Sequence, residues 1–184
     1  FVAGADVKFF VDKLREDSFK EIYEFTSHGH DVLNRIENCD KTTIALTTGL
    51  ALGGGLELAL SCDYRIGTRR TQFRFPETSI GIYPGLGGTQ RTARICGVEC
   101  ARYAVLAGNF MDSSVAIDLG LLTHKVKSSE VESTVASLVG KKPDQKYTKK
   151  PLNYESEVVS FASDFYSDKN IDDLISGKIP PGYD

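Results

Sequence analysis

The sequence carries no excess of positive charge. Its 22 Lys and Arg residues face 25 Asp and Glu residues, which gives a formal net charge of −3 at pH 7. Proteins that bind nucleic acids depend on a basic field to attract the phosphates. The near balance of charges therefore argues against a nucleic acid as the partner of this chain.

A long apolar run is also missing. The most apolar stretch, residues 44–60, is interrupted by glycines, whereas a membrane-spanning helix needs about 20 consecutive apolar residues. The first residues show no signal-peptide pattern either. We therefore expect no membrane partner and a cytoplasmic location, with the mitochondrial matrix as the alternative if the source is eukaryotic.

Cysteine and histidine are scarce, with four and three copies. The two neighbouring cysteines, Cys96 and Cys100, do not have the spacing of a zinc or redox motif. His28 and His30 lie in a polar segment without ligand-like partners. The sequence therefore predicts no metal site, and free thiols fit a reducing compartment.

The 184 residues suffice for one domain with a sizeable core. The chain begins at Phe1, inside the apolar phrase FVAGAD, which is typical of a piece of a longer polypeptide. Residues 141–151, KKPDQKYTKKP, are basic and bracketed by prolines, and predict a linker or surface arm. We expect residues 1–140 to form the core, and residues 141–184 to form a linker and a C-terminal helical segment.

Apolar periodicity and glycine turns predict alternating strands and helices. Strands are predicted at the end of 1–6 and at 42–48, 64–67, 72–75 and 121–126. Helices are predicted at 18–38, from 54 onwards, and at 89–96, 99–107, 113–118 and 161–175. This alternation is typical of an α/β protein.

Glu57 lies one turn into a helix that begins with Gly53, Gly54 and Gly55. A helix N-terminus exposes unpaired N–H groups and a partial positive charge, and glycines let a ligand oxygen approach them closely. Such a site suits a carbonyl oxygen that gains negative charge during a reaction, where one donor is typically worth about 10²–10³ in turnover. Tight helix–strand packing explains consecutive glycines equally well, so both interpretations stay open.

Glu77 lies in the phrase FPETSIGIYPGLGGTQR, residues 75–91. Pro76 fixes the backbone before it, and Phe75 and Ile80 offer apolar surroundings that would raise its pKa and make it a usable proton donor. On its own, the Pro-Glu pair fits an ordinary turn or helix start as well. In the opening AGAD, Gly4 lets the N–H of Ala5 face a ligand.

In this order, AGAD, ALGGGLELALSCD and FPETSIGIYPGLGGTQR resemble the signature of the enoyl-CoA hydratase/isomerase (crotonase) family. The resemblance covers about residues 1–126, and residues 49–63 are its most specific part. It implies an α/β fold, a crotonase-like spiral of ββα units whose N-terminal units are missing from this chain. It also implies a homotrimer or a dimer of trimers.

The resemblance assigns roles to particular residues and implies syn addition of water to a trans-2-enoyl-CoA. No metal or redox cofactor is implied, since CoA is part of the acyl-CoA thioester substrate. The catalytic carboxylates would be Glu57 and Glu77, with Glu57 as base and Glu77 protonating the α-carbon. The oxyanion hole would be Ala5 and Gly54, the contact to the catalytic water Gly85, and the substrate and CoA contacts Ala3, Ala5, Asp6, Val7, Gly53, Gly54 and Pro76.

Several alternatives stay open. An isomerase that moves the double bond of 3-enoyl-CoA needs only one of the two glutamates, and a non-catalytic acyl-CoA-binding or scaffold subunit could keep the fold. Fusion to a 3-hydroxyacyl-CoA dehydrogenase is also compatible with the sequence. Residues 141–184 do not resemble the usual C-terminal helices of the family. A nucleotide-binding domain is disfavoured, because neither glycine-rich phosphate motif occurs at a strand–helix junction.

Overall fold

The computed structural model describes residues 1–4, 6–144, 147 and 152–183. The strands are β1 (Ile44–Thr47), β2 (Leu50–Leu52), β3 (Tyr64–Gly67), β4 (Gln72–Arg74), β5 (Met111–Asp112) and β6 (His124–Lys125). The helices are α1 (Val7–Arg15), α2 (Phe19–Glu37), α3 (Gly54–Ser61), α4 (Gly88–Cys96), α5 (Val98–Leu106), α6 (Ser113–Asp118), α7 (Val131–Leu138), α8 (Glu157–Phe165) and α9 (Ile171–Ile175). Short 3-10 helices cover Glu77–Ile80 and Ser128–Glu130.

The strands build two small sheets in a spiral. Strand β3 lies parallel to β1, with Tyr64 opposite Ile44, and β4 lies parallel to β2, with Gln72 opposite Leu50. The second winding, formed by β3 and β4, thus lies beside the first winding, formed by β1 and β2. Strand β6 extends the first sheet in parallel, and β5 closes the second sheet antiparallel to β4. The predicted α/β class and the ββα spiral are confirmed.

The first residues of the chain run along β2 and reach the start of α3. Val2 forms a parallel bridge with Ala51, and its carbonyl accepts the N–H of Leu52 at 3.0 Å. A Cβ on Gly55 would lie 2.1 Å from that same carbonyl oxygen. Gly55 is therefore required for close helix–strand packing, which was one of the two interpretations of the glycine run.

The core lies between the sheets and helices α3 to α6. Its largest fully buried side chains include Phe73, Phe75 and Leu56. Helix α8 joins the same core through Val159 and Ala162, both 0% exposed. Within the ranges that the structure describes, no helix combines the length and the apolarity needed to cross a bilayer.

Several elements in the structure were not predicted, among them α1, β2 and α7. Helix α1 begins after Asp6, whose side chain accepts the N–H of Lys8 at 2.9 Å and caps the helix. Strand β2 lies where only a turn was expected, because three residues become a strand through pairing with β4. Helix α7 follows a 3-10 turn in which the Glu130 carboxylate accepts the N–H of Lys127 at 3.0 Å.

The prediction of one helix over residues 161–175 is wrong. Helix α8 ends at Phe165 and α9 begins at Ile171. The side-chain amide of Asn170 donates to the carbonyls of Asp164 and Phe165, at 3.0 and 3.1 Å. These bonds satisfy carbonyls that a helix end leaves without partners, and so they stabilise the break.

Candidate active site

Glu57 is fixed on the first turn of α3. Its N–H donates to the carbonyl of Gly53 at 3.0 Å, and the residue is 1% exposed. One carboxylate oxygen, Oε1, accepts the N–H groups of Leu86 and Gly88, each at 2.7 Å. A Cβ on Gly88 would lie 2.9 Å from both Cγ and Oε1 of Glu57, so glycine lets the loop close on the carboxylate.

The surroundings of Glu57 act on its pKa in opposite directions. Burial raises the pKa, while the N–H groups of Gly88 and Leu86 and the charges of Arg91 and His30 lower it. Burial is the largest of these effects, so the net direction is upward. The two N–H donors nevertheless give the ionised form specific partners.

Glu77 opens the 3-10 helix that follows β4 and is 9% exposed. Its Oε2 atom is buried and accepts no hydrogen bond from the described residues. Burial raises its pKa to about 7, its own backbone N–H opposes the shift, and the charge of Glu57 adds to it. A carboxyl in these surroundings holds a proton near neutral pH and can donate it.

Gly53 links the two carboxylates. It has a φ of 51°, and a Cβ there would lie 2.6 Å from Oε1 of Glu77. Since its carbonyl also accepts the N–H of Glu57, both acidic residues meet at the N-terminus of α3. Burial raises the pKa of both carboxyls, but their hydrogen-bond donors differ, an arrangement that paired general acid and base residues use.

Gly54 is the first residue of α3, where N–H groups have no partner within the helix. A Cβ on Gly4, at a φ of 93°, would lie 3.7 Å from the Gly54 nitrogen. The segment 1–4 therefore reaches the predicted oxyanion hole. Ala5, the other predicted donor, lies outside the described residues.

The remaining predicted residues take varied places. Gly85 directly precedes the loop that holds Glu57, but the donors to that carboxylate are the N–H groups of Leu86 and Gly88. Pro76 is half-buried and leads into Glu77, whereas Ala3, Asp6 and Val7 are exposed. The water contact of Gly85 and the CoA contacts of the other residues stay predictions.

One buried residue near the site was missed by sequence reasoning. Arg91 of α4 is 3% exposed and donates to the carbonyl of Leu86 at 2.7 Å. The only signal in the sequence was its position, four residues after Gly87, at the end of the phrase that contains Glu77. A sequence alone does not show that its partners come from α2, more than fifty residues earlier.

The thiols and possible metal ligands do not converge on this site. Cys62, Cys96 and Cys100 are buried, and Cys39 is half-buried. In the described part of the chain, His, Cys, Asp and Glu side chains form no group of three or more that could hold a metal ion.

Several known proteins that this chain resembles are named as enoyl-CoA hydratases or isomerases. The chain is 42% identical over 130 residues to the enoyl-CoA isomerase/hydratase fer4 of Mycosarcoma maydis, covering 70% of this chain and 46% of that protein. It is 37% identical over 141 residues to the short-chain-enoyl-CoA hydratase of Clostridium acetobutylicum, covering 77% and 52%. A Thermobifida fusca protein solved in complex with CoA has the same fold with a TM-score of 0.62 and 30% identity, covering 66% of this chain and 47% of that one.

The chain spans about half the length of the curated relatives it matches. The family model described as enoyl-CoA hydratase/isomerase matches residues 1–178, which include both glutamates, the glycine run and the loop that holds Glu57. The chain belongs to the enoyl-CoA hydratase/isomerase family.

Proposed function

We propose that the protein hydrates trans-2-enoyl-CoA to 3-hydroxyacyl-CoA. The observation that carries this proposal is the pair of buried carboxyl groups, Glu57 and Glu77, at the N-terminus of α3. One has N–H donors that favour its ionised form, and the other has a pKa of about 7. The hydratase names of the relatives and the CoA bound to the Thermobifida fusca protein support the same substrate class.

In the proposed reaction, water adds across the double bond next to the thioester. Glu57 takes a proton from the water while the water oxygen bonds to the β-carbon, and Glu77 gives its own proton to the α-carbon. The thioester oxygen gains negative charge on the way. The N–H of Gly54, with that of Ala5, would stabilise this charge, and each acid–base role is commonly worth about 10²–10⁴ in rate.

The proposal needs no metal or redox cofactor, because the addition is driven by proton transfer and charge stabilisation. CoA is the carrier part of the substrate. From the resemblance we also propose a homotrimer or a dimer of trimers as the assembled state.

The test follows the ultraviolet absorbance of crotonyl-CoA over time. This absorbance falls on hydration, because the double bond conjugated with the thioester is lost. The intact protein, Glu57→Gln and Glu77→Gln should be compared, with Glu132→Gln as a control because Glu132 is exposed on α7. We expect fast turnover in the intact protein and the control, and a collapse in both active-site variants. Absence of turnover in the intact protein would refute the proposal.

A second candidate is movement of a double bond from the 3- to the 2-position of an enoyl-CoA. It is favoured by the pKa of Glu77, about 7, which suits a group that takes a proton from one carbon and returns it to another. The name of the fer4 relative includes enoyl-CoA isomerase. Conversion of a 3-enoyl-CoA without hydration of crotonyl-CoA would select the isomerase, and acyl-CoA binding without either reaction would select a non-catalytic subunit.

A further inference from the structure

Arg91 connects α4 with α2 and with the loop that holds Glu57. Its Nε donates to Glu37 at 2.8 Å, one terminal nitrogen donates to Asn34 at 3.0 Å, and the other donates to the carbonyl of Leu86 at 2.7 Å. An arginine can hold several acceptors in a fixed plane at once, which a lysine cannot. The guanidinium thus ties the loop to the long helix α2.

Leu86 is held on both sides of its backbone. Its carbonyl accepts from Arg91, while its N–H donates to Glu57 at 2.7 Å. A Cβ on Gly87 would lie 2.4 Å from Arg91, and a Cβ on Gly29 of α2 would lie 2.7 Å from the Leu86 side chain. Both glycines therefore allow the close approach that sets the direction of the Leu86 and Gly88 N–H groups.

We propose that Arg91 is a positioning residue for the active-site carboxylate. By holding the carbonyl of Leu86, it keeps the N–H groups of Leu86 and Gly88 directed at Oε1 of Glu57. The observed partners of Arg91 are Glu37, Asn34 and the carbonyl of Leu86. Arg91 acts through the loop, and its kinetic consequence rests on the proposed function.

Among the described residues, three charged groups act on Glu57. They are His30 from α2, Arg91 from α4 and Glu77 from the 3-10 helix. Loss of the two N–H bonds would destabilise the ionised form of Glu57 and raise its pKa. Loss of the positive charge at position 91 would act in the same direction, so charge and geometry must be separated by the choice of variant.

Arg91→Lys keeps the charge but removes the planar fork, and Arg91→Met removes both. Arg94→Met is the matched control: Arg94 lies on the same helix and approaches the same Glu37 at 4.0 Å, but its side chain is 59% exposed and Leu86 is held by Arg91. The readouts are kcat and KM for crotonyl-CoA, and the pKa of the Glu57 carboxyl. The last is read by NMR of 13C-glutamate-labelled protein, assigned with Glu57→Gln.

We expect both Arg91 variants to lower kcat, by about 10- to 100-fold, because small misplacements of a catalytic group have effects of this size. KM should stay within about 3-fold, since binding is not the lost function. The pKa of Glu57 should rise in both variants, and Arg94→Met should match the intact protein in every readout. An unchanged Glu57 pKa in Arg91→Lys, or an equal change in Arg94→Met, would overturn the proposal.

The NMR readout does not depend on turnover. If the intact protein fails to hydrate crotonyl-CoA, the proposed function falls while the Glu57 pKa still decides the role of Arg91. If Arg91→Met does not fold, as judged by thermal unfolding, Arg91→Lys decides the question alone.

Discussion

Glu57 and Glu77 are similarly buried, but their carboxyl groups have different partners. Glu57 accepts two backbone N–H groups on one oxygen, whereas Oε2 of Glu77 has no partner among the described residues. Burial favours the protonated carboxyl and N–H donors favour the carboxylate; Glu57 has two such donors from its loop, whereas at Glu77 its own backbone N–H opposes burial. The difference in partners therefore supports Glu57 as the base and Glu77 as the acid.

For Glu77→Gln we predict a loss of hydration of about 10²–10⁴ in kcat, because the amide keeps the shape but has no proton to give. Binding of acyl-CoA, measured by calorimetry beside the kinetics, should stay close to that of the intact protein. If binding and turnover fell by the same factor, Glu77 would be a binding residue rather than a proton donor.

The pKa of Glu77 predicts the pH dependence of activity. Because the donor form carries the proton and the pKa is raised to about 7, kcat/KM should fall as the pH rises through 7. The apparent value belongs to the coupled pair of carboxyls rather than to Glu77 alone. Rates measured from pH 5 to 9 should show this fall in the intact protein, and a flat profile there would contradict the proton-donor role.

The same shift affects the free energy of unfolding. The folded protein holds the Glu77 proton more tightly than the unfolded chain, where the usual value of 4.5 applies. The contribution of the Glu77 proton to the free energy of unfolding is therefore complete below pH 4.5 and is lost as the pH rises through about 7. Urea unfolding across this range should show a decline that is smaller in Glu77→Gln, where the raised pKa of Glu57 still contributes, and equal declines in both proteins would contradict this assignment.

At the scale of elements, the start of α3 depends on glycines that have different tasks. Gly53 adopts a φ of 51° and lies against Glu77, while Gly55 lies against the carbonyl of Val2. Gly54 lies between them as the first helical residue. The glycine run thus serves close packing at Gly55 and the contact with Glu77 at Gly53, and the approach of a ligand oxygen to these glycines stays a prediction.

Gly55→Ala should destabilise the protein by about 1–3 kcal/mol, the usual effect of forcing extra volume into a packed region. The added Cβ would lie 2.1 Å from the oxygen of Val2, which is backbone and cannot rotate away. Gly49→Ala is the control, because its nearest neighbour would lie 3.8 Å from the new Cβ. Chemical unfolding should separate the two variants, and equal midpoints would contradict the contact with Val2.

The elements that could be predicted are those with local signals. Helix α2 has its apolar residues at helical spacing, and α3 follows directly from the glycine run. Strand β2 has three residues and exists through pairing with β4, and α8 ends where Asn170 folds back on it. In the site, both glutamates could be identified from their motifs, but the N–H donors of Leu86 and Gly88 could not, because their direction depends on contacts with α2.

At the scale of the whole molecule, the C-terminal part is joined to the main core. Helix α8 packs against α5 and α6, and Val159 is fully buried in the cluster that includes Phe73 and Phe75. The boundary at residue 140 stays a prediction. Residues beyond it nevertheless contribute to the stability of the part that carries the site.

Val159→Ala should lower the free energy of unfolding by about 2 kcal/mol, from the loss of two buried methyl groups and the space they leave. Val98→Ala, at a residue that is 50% exposed at the start of α5, should change it by less than about 0.5 kcal/mol. Urea unfolding followed by circular dichroism measures both. A single transition with an unshifted midpoint in Val159→Ala would show that α8 adds nothing to the core.

The spacing of the two carboxylates along the chain is close to the repeat of the spiral. Tyr64 lies opposite Ile44, an offset of 20 residues, Gln72 lies opposite Leu50, an offset of 22, and Glu77 follows Glu57 by 20. Glu57 follows β2, the second strand of one winding, and Glu77 follows β4, the second strand of the next winding. The two glutamates thus lie at similar places on successive windings, and their separation along the chain is close to the length of one winding. An insertion between the two glutamates therefore keeps the carboxyl groups together only where it forms an external loop and leaves the pairing of the strands unchanged.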